Sequence, residues 1–232
     1  MKKLFFLILL VGILLPAQAQ VVFNPNIAIR PMVSLSIFKI ELTDSSTVVT
    51  VRIRNQSQLT PFSIKSKKLI ARKSGEPDAV RLVKSENVPF YPEKHTFSFK
   101  DDILEFKLYF PPLEKPVKYL DIQEEGSDKK FYMQGIIIDP ELNGAITNGI
   151  KAFQMGDPNQ ALTHFINACE MDLYFEFGIA YFNVIYILAQ QKRWAEAKVW
   201  YDKFQERFFY DKQVLMNSLA EMGLIQRLEQ GR

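Results

Sequence analysis

Few side chains in this sequence have the types and settings that covalent or acid–base chemistry requires. There is one cysteine, Cys169, and there are two histidines, His95 and His164. A reactive thiol needs a cationic or helix-terminal setting that stabilises the thiolate. Cys169 falls instead at helical spacing with Leu162, Phe165 and Ile166, on an apolar stripe that reads as packing. His164 flanks that stripe as a solvent-facing residue, and His95 sits in a loop without an acidic orienter, so neither has the partner a general base uses. Asp101 and Asp102 come nearest to a metal pair, yet adjacent aspartates between two strands make a turn, and no other acidic cluster has ligand spacing. The sequence has no His-Glu-x-x-His, no Gly-rich phosphate loop and no Gly-x-Ser-x-Gly. The expectation is a binding protein with no catalytic residues, no metal and no cofactor.

Charge supplies one candidate binding feature. Lys65, Lys67, Lys68 and Arg72, followed by Lys73, gather basic side chains into a short strip suited to an anionic glycan or a phosphate. Lysines on a strand also serve simply to protect a sheet edge. The whole chain carries 29 basic and 26 acidic side chains, which gives no bulk attraction to nucleic acid or to anionic lipid. Residues 1–19 read as a secretory signal: Lys2 and Lys3, an unbroken apolar run from Leu4 to Leu15, then Pro16 and Ala17-Gln18-Ala19. That run is shorter than the roughly 20 residues of helix that cross a hydrocarbon core. Cleavage after Ala19 would make Gln20 the first mature residue, with no cysteine there for lipid attachment. The expected product is exported, periplasmic or extracellular, without stable membrane insertion, and its single cysteine excludes an intramolecular disulfide.

The elements that must position any site divide at Asp139. Between Val33 and Ile138 short β-branched and aromatic runs alternate with turn residues, the pattern of antiparallel sheets. Ile37 to Leu42 and Thr47 to Arg54 flank Thr43-Asp44-Ser45-Ser46 and read as a hairpin. Leu104, Phe106, Leu108 and Phe110 alternate with Glu105, Lys107 and Tyr109, so the first set belongs to a buried face. Lys68 to Arg72, Val80 to Lys84, Thr96 to Phe99, Tyr119 to Gln123 and Phe131 to Ile138 complete about eight strands, a number suited to a sandwich.

Asp139-Pro140 opens a helical part, because the aspartate accepts from free N–H groups and proline fits the first helical position. Leu142, Ala145, Ile146, Gly149 and Phe153 recur at helical spacing, Gly156 closes the helix, and Asp157-Pro158 opens the next, with Gln160 in the capping-box position. The pattern returns from Phe175 through Phe182, Ile185 and Leu188, across a turn at Gln191 to Arg193, into Trp194, Ala197, Tyr201 and Phe204. Ala161 and Ala197 align at a spacing of about 36, near the 34 of a tetratricopeptide repeat, which these hairpins resemble in one half-motif. Ala152 stands where a tyrosine is usual in that family and Leu173 where a proline is, so the units are degenerate. Lys212 to Leu228 reads as one last amphipathic helix capped by Asp211, with Val214 and Met222 on its apolar side. Leu173 to Ala189 has only Glu176 and Asn183 as strongly polar residues, and its length and flanking repeats suit burial in protein rather than in a membrane. The fold class expected is α+β in two domains: an antiparallel, immunoglobulin-like β-sandwich over 20–138, then tetratricopeptide-like hairpins over 139–232. Two and a half units fall short of the roughly three an independent solenoid needs, so the helices are expected to lean on the sandwich or on another molecule.

Ile40 to Val49, Phe110-Pro111-Pro112-Leu113, Leu120 to Gly126 and Phe131 to Ile136 resemble, in their order, a β-sandwich module of exported Gram-negative proteins. In those relatives the module often precedes a thioredoxin-like domain. Here no Cys-x-x-Cys follows, so redox activity is not implied. The tetratricopeptide pattern places Ile146, Ile150, Phe153, Gln154, Phe182, Tyr186 and Gln190 on the inner face of the hairpins, either as partner contacts or as a surface the sandwich covers. Three functions stay open: an adaptor or scaffold that holds an envelope protein, a small-ligand or glycan binder with aromatic platforms between the domains, and an accessory to an exported oxidoreductase.

Overall fold

The computed structural model describes residues 19–56, 61–65, 67–126, 130–171 and 175–230; all of the expected signal except Ala19, together with Leu173, lies outside them. The strands in chain order are β1 (Gln20–Phe23), β2 (Ile27–Ile29), β3 (Leu35–Leu42), β4 (Thr47–Arg54), β5 (Leu69–Lys73), β6 (Ala79–Arg81), β7 (Lys84–Glu86), β8 (Ile103–Phe110), β9 (Tyr119–Glu124) and β10 (Tyr132–Ile137). They build two five-stranded antiparallel sheets, ordered β1-β3-β4-β8-β7 and β2-β10-β9-β5-β6. The helices are α1 (Pro140–Gln154), α2 (Pro158–Met171), α3 (Ile179–Gln190), α4 (Trp194–Glu206), α5 (Lys212–Glu221) and α6 (Ile225–Gln230). No described helix is long and apolar enough to cross a membrane.

Alternation sets the layers. Leu104, Phe106, Leu108 and Phe110 of β8 are buried while Ile103, Glu105 and Lys107 are exposed, so the first sheet has one wet face. In the second sheet β9 is buried from Leu120 to Glu124, while Ala79 and Arg81 of the edge strand β6 are exposed. Along β9, Leu120 and Ile122 enter the core between the sheets, whereas Tyr119 packs into a separate core made with the helices. A bulge between Met133 and Ile136 centres on Gly135 at φ +63°, and Ile137 faces the helices while Ile136 and Ile138 face the sandwich core. The molecule is therefore a stack of sheet, sheet and helices, with the centre of the middle sheet covered on both sides.

The helices pair as two hairpins, α1 with α2 and α3 with α4, and α2 packs on α3. Asp139 accepts from the Glu141 and Leu142 N–H groups at 3.0 and 2.9 Å, capping α1, and Asp157 accepts from Gln160 at 2.9 Å, capping α2. Gly149 lets α2 approach α1, because a Cβ there would lie 2.8 Å from the Phe165 ring.

Several expectations need correction. Val80 to Lys84 is two strands: after β6 the chain passes to the other sheet, with Leu82 N–H bonding Leu69 O and Val83 N–H bonding Tyr109 O. Thr96 to Phe99 is irregular, since side chains take the backbone partners a ladder would use: Asn55 donates to Phe99 O at 2.7 Å and Asp102 accepts from Ser98 N–H at 2.8 Å. β1 and β2 precede the expected first strand. The final helix breaks at Gly223, φ +69°, into α5 and α6, and Val214 and Met222 are exposed. Asp211 makes no side-chain cap on α5; it accepts from the Gly178 N–H at 2.7 Å and so holds the start of α3.

Candidate functional site

The C-terminal turns of α1 and the middle of α3 bring three aromatic rings together. Phe153 and Tyr186 meet edge to face at 5.9 Å, and Phe182 lies parallel to Tyr186 at 6.3 Å. Residues 182 and 186 are one helical turn apart and face the same way, and Phe153 reaches them from the neighbouring hairpin. Phe153 is 40% exposed, Phe182 and Tyr186 are half-buried, and Gln154 and Gln190 flank the row in solvent. Ile150 is half-buried against the helical core, and Ile146 is fully buried. Ile146 is thus a core residue, closed to a partner by its packing in the helical core. The remaining surface is an uncharged aromatic row edged by amides, able to take apolar side chains and to donate to or accept from a peptide backbone.

No protein-family model matches the chain, and no curated protein matches it. The basic strip does not act as one surface. Lys67 lies with its Nζ 5.7 Å from the Phe90 ring, in a shallow depression with Lys84, while Arg72 faces the helices. Lys65 and Lys68 are exposed on the approach to β5. Cys169 is buried, and burial pushes its thiol well above the usual range, with Arg207 offsetting only part of that. A thiol so placed stays protonated and packs as an apolar residue. Asp101 and Asp102 form the expected turn, with Asp101 at φ +67° and Asp102 accepting from the Ile103 N–H.

A second concavity was not visible in the sequence. Between the second sheet and the helices lies a cleft of about 340 Å³ lined by Arg72, Glu76, Asp121, Gln134, Phe177 and Tyr210. Asp121 is buried; its Oδ1 accepts from Ser74 Oγ at 2.6 Å and from the Gly135 N–H at 2.9 Å. Arg72 Nε stands 3.5 Å from Asp121 Oδ2 and is buried without a hydrogen-bond acceptor. The one signal for this site lay in β9, where Asp121 and Gln123 alternate with Leu120 and Ile122. Polar residues on a strand read as a wet face, but here both are buried.

Proposed function

We propose that this protein is an exported, non-enzymatic interaction protein of the bacterial cell envelope, in which an immunoglobulin-like sandwich carries tetratricopeptide-like hairpins that hold a partner protein. The row of Phe153, exposed, with half-buried Phe182 and Tyr186, on the helical face where such hairpins hold peptides, carries this reading. The repeat assignment is supported by Ala161 and Ala197, both fully buried where the second helix of each hairpin meets the first, and by the close contact at Gly149. Large aromatics beside uncharged amides, with no charged pair to desolvate, are the composition of a protein-binding patch rather than of an ionic one.

The test is a photo-crosslinker at position 153 in the native host. One recurrent protein adduct is expected, lost when Tyr186→Glu is added while circular dichroism and melting of the purified variant stay unchanged. Adducts scattered over many abundant proteins, or an adduct indifferent to Tyr186→Glu, would overturn the reading.

A further inference from the structure

We propose that the cleft between the second sheet and the helices binds a neutral polyhydroxyl ligand: a monosaccharide, or the terminal sugar of a glycan. The argument starts from hydrogen-bond arithmetic. Asp121 Oδ1 already has two donors, but Oδ2 faces Arg72 Nε at 3.5 Å, too far for a well-formed hydrogen bond. Arg72 and Asp121 thus line one cavity, and behind its surface the Arg72 Nε–H stands beside a carboxylate oxygen without a well-formed hydrogen bond, so this pair is open to a further partner at its exposed part. A ligand hydroxyl suits such a pair, accepting from the partly exposed guanidinium and donating to the carboxylate. Gln134 adds to the set: its amide nitrogen is committed to Gln123 Oε1 at 3.0 Å, which leaves its own oxygen as an acceptor for another hydroxyl.

The apolar wall fits the same class. Tyr210 is 50% exposed at the mouth and rests at 5.6 Å on Phe177, which the bulge at Gly135 admits against the sheet. A half-exposed ring beside paired donors and acceptors offers a face for the C–H groups of a pyranose. Charge weighs against an anionic ligand. Arg72 is balanced by Asp121, and Lys73 by Glu76 at 3.0 Å, while Glu176 stands next to Tyr210 at the rim, so the wall has no net positive charge for a phosphate or carboxylate. The volume lies at the low end of small-ligand sites, enough for a single sugar ring and not for a longer chain.

The test is isothermal titration of the mature protein with glucose, galactose, mannose and N-acetylglucosamine, beside inorganic phosphate and glutamate. Saturable binding of at least one sugar is expected, weakened roughly tenfold or more by Tyr210→Ala and by Arg72→Gln. Tyr210→Ala removes a half-exposed ring and keeps the fold, so it decides the matter if Arg72→Gln disturbs the sheet. The proposal is overturned by silence towards all four sugars, by binding that neither variant weakens, or by binding of phosphate or glutamate in place of sugars.

Discussion

Asp211 shows how a single carboxylate can hold two segments together and still weigh against the fold. It is 2% exposed, its Oδ1 accepts from the Gly178 N–H, and its Oδ2 has no partner. Burial raises its pKa to about 6, against the lowering effect of the Gly178 and Asp211 backbone N–H groups. The folded protein therefore holds this proton more tightly than the unfolded chain does. Its contribution is fully present below the unfolded value of about 4 and is lost as pH rises through about 6, a change of about 3 kcal/mol. Asp211→Asn keeps an acceptor for Gly178 and removes the charge. It should raise the urea midpoint at pH 7.5 and flatten the fall in stability between pH 4.5 and 7.5; an unchanged pH slope would sink the assignment. Gly135 makes the opposite case, a residue fixed by lack of space. Its φ is +63°, and a Cβ would stand 2.8 Å from the Phe177 ring and 2.9 Å from Ala28 Cβ. Gly135→Ala combines left-handed strain with a clash and should cost about 2–4 kcal/mol in denaturant unfolding. Adding Phe177→Leu, which shortens the opposing side chain, should recover part of it.

At the scale of elements, helix ends and half-wet strands follow local rules. Asp139 accepts two N–H groups at the start of α1, so Asp139→Ala should lower stability by about 1 kcal/mol, measured by chemical denaturation, while Asp139→Asn should lower it less. The caps of α1 and α2, the hairpin of β3 and β4 and the buried face of β8 were legible because each is decided by residues a few positions apart. The misses share the opposite property. β1 and β2 are four and three residues long and exist because β3 and β10 offer them edges. Val80 to Lys84 divides because two sheets compete for it, and Asp211 serves α3 although it precedes α5. That Phe182 and Tyr186 share a face was legible from helical spacing, yet buried Ile146 could not be told from exposed Phe153, since burial along α1 depends on neighbours distant in sequence. The cleft was not legible: Arg72, Asp121, Phe177 and Tyr210 come from four separate stretches of the chain.

The whole molecule is set by how the helices seat on the middle sheet. Their core includes Ile137 and is packed by Ala28, Ile29 and Tyr119 from the strands, with Tyr119 and Phe175 at 4.6 Å. A polar clamp lies beside it: Asn26 donates to Asn143 Oδ1 from its backbone N–H at 2.9 Å, and its side chain reaches Thr147 Oγ1 at 2.8 Å, while Asn26 O accepts from the Ile137 N–H. The sheet thereby supplies part of the layer that buries the apolar side of the helices. Sheets and helices should then unfold as one unit. Both tryptophans, Trp194 and Trp200, lie in α4, so their fluorescence reports the helices alone, while amide exchange in β4 reports the far sheet. The two probes should give the same unfolding free energy along a urea series. Asn26→Ala, which removes the side-chain part of the clamp, should lower both together by about 1–3 kcal/mol. A fragment of residues 140–230 should lack a cooperative transition, because Phe175 and Phe177 lose the sheet that buries them. Separate transitions in the whole protein, or a fragment that melts cooperatively as a monomer, would show that the helices stand without the sheet.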